Sequence, residues 1–99
     1  MNDSTAGAPS SAELVAARNE VERVDRTIVR LIAERLNAAA VIAAAKRSAG
    51  LPVLDPPQEA RVVRRAGEWA REAALPEEDV RDLFWRIITI TRRSQGSEP

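Results

Sequence analysis

The sequence predicts an all-α fold with three helices per chain, one long and two shorter, that assembles as a helical homodimer. Three observations support this prediction. Residues 11–48 contain neither Pro nor Gly. Two later segments open with the prolines and acidic residues that are typical of helix starts. No segment alternates polar and apolar residues in the way a half-buried strand does.

The long helix is expected over residues 11–48, with Ser10 or Ser11 as its N-cap and Gly50 just after its end. Its apolar residues recur at alternating spacings of three and four, which is typical of a helix that packs along its whole length. They are Leu14, Ala17, Val21, Val24, Ile28, Leu31, Ala38, Ile42 and Ala45. Such a helix would be roughly 57 Å long, whereas a chain of this size has a radius of gyration of about 13 Å. Because the chain cannot cover the whole helix, we expect a second copy to cover the rest.

The two shorter helices are predicted over residues 56–74 and 77–95. Asp55 is a good N-cap for the first of them, Pro56 suits the first helical position, and Gln58 is placed for a capping box. The buried face of the first would be Val62 or Val63, Ala66, Trp69 or Ala70, and Ala73. The buried face of the second would be Val80, Leu83 or Phe84, Ile87, Ile88 and Thr91.

Composition narrows the chemistry that the chain can perform. The 99 residues contain no Cys, His or Tyr, so thiolate and imidazole metal ligands are missing, and only Asp, Glu, Lys and Arg can ionise in a catalytic role. We therefore expect no metal and no cofactor. The zero net charge argues against a nucleic-acid partner held by a bulk positive field.

The amino-terminal residues differ in composition from the rest. Residues 1–10 are rich in Ser, Ala, Gly and Pro and are predicted to be a disordered leader, followed by a helical domain over residues 11–99. The leader lacks the features of a signal peptide, and no later segment is apolar enough to cross a membrane. We expect a cytoplasmic protein with no membrane partner and no room for a fused catalytic or regulatory domain.

Five polar residues lie on faces that should be packed, where an unsatisfied polar group costs stability. They are Arg35, Lys46, Glu59, Thr91 and Gln95. Arg35 and Lys46 are separated by about three helical turns, so they face the same way with roughly 16 Å between their Cα atoms. The gap between their side chains suits a small dianion, with Asp55 and Glu59 as an acidic rim and Gln95 as an amide donor.

Arg18 shares the face of Lys46 but would lie roughly 42 Å from it along a straight helix. In an antiparallel pair of long helices, Arg18 of one copy would lie beside the central region of the other and supply a third cation to each site. Most of the other polar residues also have a purely structural interpretation. Arg35 could fix helix register and Lys46 could interact with the helix dipole. Asp55 would cap its helix in any case, and Thr91 and Gln95 could belong to a fraying helix end.

These residues, in this order, resemble the all-helical class of chorismate mutase, whose chains form three helices and an intertwined dimer. The similarity covers about residues 12–95 and includes AARNEVERVDRTIVRLIAERLNAAAVIAAAKRSAGLPVLDPPQEARV and LFWRIITITRRSQ. The sequence departs from the family at Gln58, where an arginine is common, at Arg92, where the residue is usually apolar, and at Thr91, where serine is commoner. The resemblance implies seven site residues, which are Arg18 from the partner, Arg35, Lys46, Asp55, Glu59, Thr91 and Gln95.

The resemblance implies that the chain rearranges chorismate to prephenate without a covalent intermediate, as an isomerase of aromatic amino acid biosynthesis. The catalytic residues would be Lys46 and Gln95 at the ether oxygen, Arg35 at a carboxylate and Glu59 at the ring hydroxyl. Ile42 and Ile88 would form an apolar wall. Two rivals share the fold, namely an isochorismate pyruvate lyase and a mutase of 4-amino-4-deoxychorismate. A non-catalytic helical dimerisation module is the alternative from another class.

Overall fold

A computed structural model describes residues 10–96 and contains three helices, α1 (Ser11–Ser48), α2 (Pro56–Glu72) and α3 (Glu77–Ser94). No strand occurs among these residues, which confirms the predicted all-α fold. No helix within this range is long and apolar enough to cross a membrane. Residues 1–9 of the predicted leader and residues 97–99 lie outside the described part of the chain. The homodimer and the domain bounds stay predictions.

The chain divides after Ala33 into two units, which are described separately. The first unit is the amino-terminal part of α1. Its start is a capping box, because the Glu13 amide donates to Ser10 Oγ at 3.1 Å while the Ser10 amide donates to the Glu13 carboxylate at 2.6 Å. Of the two predicted N-caps, Ser10 is therefore the one used.

The apolar side chains of this first unit are not covered by their own chain. No residue from Ser11 to Ala33 is buried. The predicted apolar positions with large side chains are 39–59% exposed: Leu14, Val21, Val24, Ile28 and Leu31. A helix in a protein gains most of its stability from packing its apolar face against other elements. The apolar side chains of residues 11–33 therefore need a packing surface that the single chain does not supply.

The second unit contains the end of α1 together with α2 and α3. Its buried apolar residues are Ala43, Val63, Ala66, Ala70 and Ile88. Two alternatives left open by the sequence are thereby settled in α2, with Val63 rather than Val62 and Ala70 rather than Trp69 in the core. In α3, Phe84 is partly buried and Leu83 is exposed.

Four residues of the predicted apolar faces in the second unit are exposed in the single chain. Ala73 is exposed because it follows the last residue of α2 as its C-cap. In α1, the predicted residues Ala38, Ile42 and Ala45 are exposed, whereas the neighbouring Ala43 is buried. The face of α1 that its own chain covers is thus rotated by one residue, about 100°, from the predicted stripe.

The helices of this chain end in left-handed residues. The amide of Leu51 donates to Lys46 O at 2.8 Å around Gly50, whose φ is +71°. The amide of Leu75 donates to Ala70 O at 2.8 Å around Ala74, whose φ is +59°. Both arrangements satisfy carbonyl groups that a helix end leaves open, but an alanine in this conformation is strained where a glycine is not.

The start of α2 departs from the predicted capping box in one contact. The Gln58 amide donates to Asp55 Oδ1 at 3.2 Å, which confirms Asp55 as the N-cap. The Gln58 side chain does not complete a box. Its oxygen instead accepts a hydrogen bond from Arg61 Nε at 2.9 Å.

An ionic cluster joins the end of α2 to the start of α3. Arg71 donates to both oxygens of Glu77 at 2.6 and 3.2 Å, and Arg81 donates to Glu77 at 3.0 Å. The hydrogen bond from Arg71, supported by the charges of both arginines, lowers the pKa of Glu77 despite the opposing effect of desolvation. Arg81 also crosses Gly67, where an added Cβ would lie 2.6 Å from its Nε, which accounts for a glycine inside α2.

Candidate active site

A cavity of about 180 Å³ in the second unit collects most of the predicted site residues. Its lining includes six of the seven: Arg35, Lys46, Asp55, Glu59, Thr91 and Gln95. The seventh, Arg18, belongs to the first unit and is not part of the lining. The cavity is also lined by Gln58 and Arg92, so all three positions at which the sequence departs from the family pattern, including Thr91, lie in its lining.

Arg35 enters the cavity from α1 and is partly buried. Its Nη1 lies 3.5 Å from Thr91 Oγ1, whose hydroxyl in turn donates to Ile87 O at 2.9 Å. Burial lowers the pKa of Arg35, and the nearby charge of Arg65 lowers it further. No carboxylate within residues 10–96 forms an ion pair with Arg35. An anionic ligand would therefore offset both unfavourable effects.

Lys46 is fixed at the other end of the cavity by the loop that follows α1. Its ammonium donates to Val53 O at 3.3 Å and lies 3.6 Å from Asp55 Oδ2. Asp55 thus has two roles, since one of its oxygens caps α2 and the other faces Lys46. The 11-residue spacing predicted that Arg35 and Lys46 would share a face, and both do line the cavity.

Glu59 has a partner that the sequence reasoning missed. Arg92 Nε donates to Glu59 Oε2 at 3.0 Å and Arg92 Nη2 donates to Glu59 Oε1, so the two form a bidentate ion pair. The Glu59 side chain is only 16% exposed. Arg92 was identified from the sequence only as a departure from the family. Its one available signal was its position, directly after a residue on the packed face of α3.

Gln95 and the apolar residues complete the lining. Gln95 is the C-cap of α3, and its carbonyl accepts a hydrogen bond from Arg47 Nη2 at 3.0 Å, which ties the end of α1 to the end of α3. Ile88 is buried, while Ile42 lines the cavity and is largely exposed. No group of three or more acidic side chains among the described residues is placed to hold a metal ion.

The fold and the cavity define the class of the protein, which is an all-α protein with a small pocket lined by three cations, two carboxylates and apolar side chains. Residues 17–96 match the family described as chorismate mutase type II. The chain therefore belongs to the chorismate mutase type II family, which is a family of isomerases that act as intramolecular transferases.

Two curated relatives are similar to the chain. A T-protein from Enterobacter agglomerans is 31% identical over 87 residues, which cover 88% of this chain and 22% of that protein. A 3-dehydroquinate dehydratase from Pyrobaculum aerophilum is 38% identical over 61 residues, covering 62% of this chain and 20% of that protein. The chain spans about a fifth of the length of these relatives. No solved structure matches it significantly.

Proposed function

We propose that the chain catalyses the rearrangement of chorismate to prephenate in a pocket that a second copy of the chain completes. One observation carries the proposal: Arg35 and Lys46 line the same cavity as Glu59 and Gln95, in a chain that belongs to the chorismate mutase type II family. The substrate offers two carboxylates, an ether oxygen and a ring hydroxyl. The cavity offers a donor or acceptor for one carboxylate, the ether oxygen and the hydroxyl, and the second copy would supply the donor for the other carboxylate.

The reaction is unimolecular, so the protein has to hold a folded conformer and stabilise charge that develops on the breaking bond. We assign one substrate carboxylate to Arg35, whose guanidinium forms a fork that fits a carboxylate and which has no ion-pair partner among the described residues. Thr91 positions this arginine through the 3.5 Å contact and assists the same carboxylate. Arg18 of the second copy holds the other carboxylate.

Lys46 and Gln95 donate to the ether oxygen in this proposal. The contacts of Lys46 with Val53 O and Asp55 support this role, because they hold the ammonium at the cavity and limit its rotamers. Glu59, together with the backbone near Asp55, receives the ring hydroxyl. Ile42 and Ile88 form the apolar wall against the ring.

The homodimer rests on two observations within the separate units. Residues 11–33 include no buried side chain, although they carry a full apolar stripe. The cavity of the second unit has a volume of about 180 Å³, less than the roughly 300–1,000 Å³ of pockets that enclose small ligands. A second copy would cover the stripe and supply the missing wall, with its Arg18 as the third cation. The cytoplasmic location stays a prediction.

The acidic pair favours the mutase over the lyase of the same fold, because the resemblance implies that such lyases tend to lack this pair, whereas Asp55 and Glu59 both line the cavity here. The deciding experiment follows the ultraviolet absorbance of chorismate and the formation of prephenate with the purified protein. Pyruvate release from isochorismate would instead identify the lyase. A protein that changes neither substrate would be the non-catalytic dimerisation module.

Lys46→Ala should lower kcat for chorismate by about 10² to 10³, because one donor to the developing charge is lost. Its circular dichroism spectrum should stay unchanged. The matched control is Arg64→Ala, which removes an exposed cation of α2 that does not line the cavity. Near-normal turnover by Lys46→Ala would rule out the proposed site.

A further inference from the structure

We propose that Arg92 makes this pocket selective for a substrate whose ring carries a neutral hydroxyl and excludes the analogue that carries an ammonium group at the same place. The inference rests on the proposed function, because it concerns the same cavity and the same class of dicarboxylate. It separates chorismate from 4-amino-4-deoxychorismate, which spacing alone leaves as rivals, since a glutamate suits an alcohol as well as an amine.

Arg92 and Glu59 form a bidentate ion pair in the cavity lining. Arg92 reaches from α3 to Glu59 on α2 and engages both carboxylate oxygens, one through Nε and the other through Nη2. Both side chains line the cavity, and both are largely withdrawn from water. A guanidinium fork of this kind fixes the plane of the carboxylate and neutralises its charge at close range.

Glu59 can accept further hydrogen bonds while it is paired with Arg92. An ionised carboxylate offers about four lone-pair sites, of which a bidentate arginine uses two. A neutral hydroxyl can still donate to one of the others without any ionic attraction. An ammonium group depends on net negative charge at the glutamate, and that charge is already compensated by Arg92, which would itself repel a second cation nearby.

The net charge of the whole cavity lining also favours the hydroxyl substrate over the ammonium analogue. Three cations, Arg35, Lys46 and Arg92, line the cavity together with two carboxylates, Asp55 and Glu59. Asp55 lies beside Lys46 and Glu59 is paired with Arg92, while no carboxylate within residues 10–96 pairs with Arg35. The lining therefore has an excess of positive charge, which suits a dianion and disfavours an added ammonium.

The test compares kcat/KM for chorismate and for 4-amino-4-deoxychorismate in the purified protein and in three variants. Arg92→Leu removes the guanidinium and should reduce the preference for chorismate at least tenfold, because Glu59 regains its net charge. Arg92→Lys keeps a cation beside Glu59 and should retain most of the preference. Arg86→Leu, an exposed residue of the same helix outside the cavity lining, is the matched control and should leave the ratio unchanged.

A purely structural role for Arg92 would lower both kcat/KM values together and leave their ratio unchanged, and that result would overturn the inference. If Arg92→Leu fails to fold, Arg92→Gln replaces it, because glutamine also removes the cation beside Glu59, and the preference should fall in the same way. A protein that does not turn over chorismate refutes the proposed function alone. The inference is then decided by the ratio of the two dissociation constants from calorimetry, with the same expected changes.

Discussion

The two halves of α1 carry similar apolar residues but differ in what covers them. Residues 11–33 include no buried side chain. Residues 34–48 contribute the buried Ala43 and place Arg35 and Lys46 in the cavity lining. The difference lies in their surroundings, because the second half belongs to the unit that also contains α2 and α3.

The contrast shows that the two halves of one helix can have different functions. The second half presents charged groups to a pocket that its own chain forms. The first half presents an apolar stripe that gains stability only when something else covers it.

Ile28→Asp should abolish both assembly and turnover. It places a charge on the predicted stripe, and an uncompensated buried charge costs about 3–5 kcal/mol per copy. Sedimentation velocity should show monomers or unfolded chains. Val29→Asp is the control, because Val29 lies off the stripe and is more exposed than Ile28, at 67% against 49%, so this variant should stay dimeric. A dimeric, active Ile28→Asp protein would mean that the first half of α1 needs no cover.

Mixing inactive Arg18→Ala and Lys46→Ala homodimers should restore about a quarter of the original activity. Random exchange gives about half heterodimers, each with one intact site of two. The measurement is chorismate turnover after subunit exchange has been confirmed by mass spectrometry. Either variant mixed with itself is the control. An exchanged mixture that stays inactive would show that Arg18 does not act in a partner's site.

Ala74→Gly should stabilise the second unit by about 0.5–1 kcal/mol, since glycine adopts a positive φ without the penalty that alanine pays. Urea unfolding measures the change. The neighbouring Ala73→Gly is the control, because Ala73 has an ordinary φ of −91° and gains nothing from glycine. This variant should be slightly destabilised. Equal effects of the two substitutions would contradict the strain at Ala74.

Lowering the pH should destabilise the second unit by protonating Glu77 more than it destabilises the first unit by protonating Glu20. Hydrogen bonds from arginines lower the pKa of both carboxyl groups below the usual 4.5. Their stabilisation is present above that value and is lost as the pH falls through the lowered pKa. Glu77 is 29% exposed and bonded by two arginines, whereas Glu20 is 60% exposed with one.

The measurement for this comparison is the free energy of unfolding between pH 6 and pH 2 for the original protein, Glu77→Gln and Glu20→Gln. Glu77→Gln should flatten the acid-dependent fall more than Glu20→Gln does, because surface helix pairs contribute little. A larger effect at Glu20 would reverse the comparison.

Local signals predicted most of the fold. A run without Pro or Gly, the caps Ser10 and Asp55, and the stop at Gly50 together gave the bounds of α1 and the start of α2. These features depend on residues a few positions apart, so the sequence displays them directly. The left-handed conformation of Ala74 was missed, because glycine usually occupies such a position and the sequence has an alanine there.

The candidate site was predictable only where one helix or one cap determines the geometry. Arg35 and Lys46 share a face because they are 11 residues apart on one helix. The pairing of Glu59 with Arg92 joins residues 33 positions apart on different helices. Helical periodicity fixes neither the rotation of α3 against α2 nor the covered face of α1. Both depend on how separate helices pack.

The ammonium group in the cavity is the only lysine side chain in the sequence. Lys46 is therefore the one side chain in these 99 residues that a reagent for primary amines can acylate. The extent of its acylation, located by peptide mass spectrometry, would report directly how accessible the cavity is.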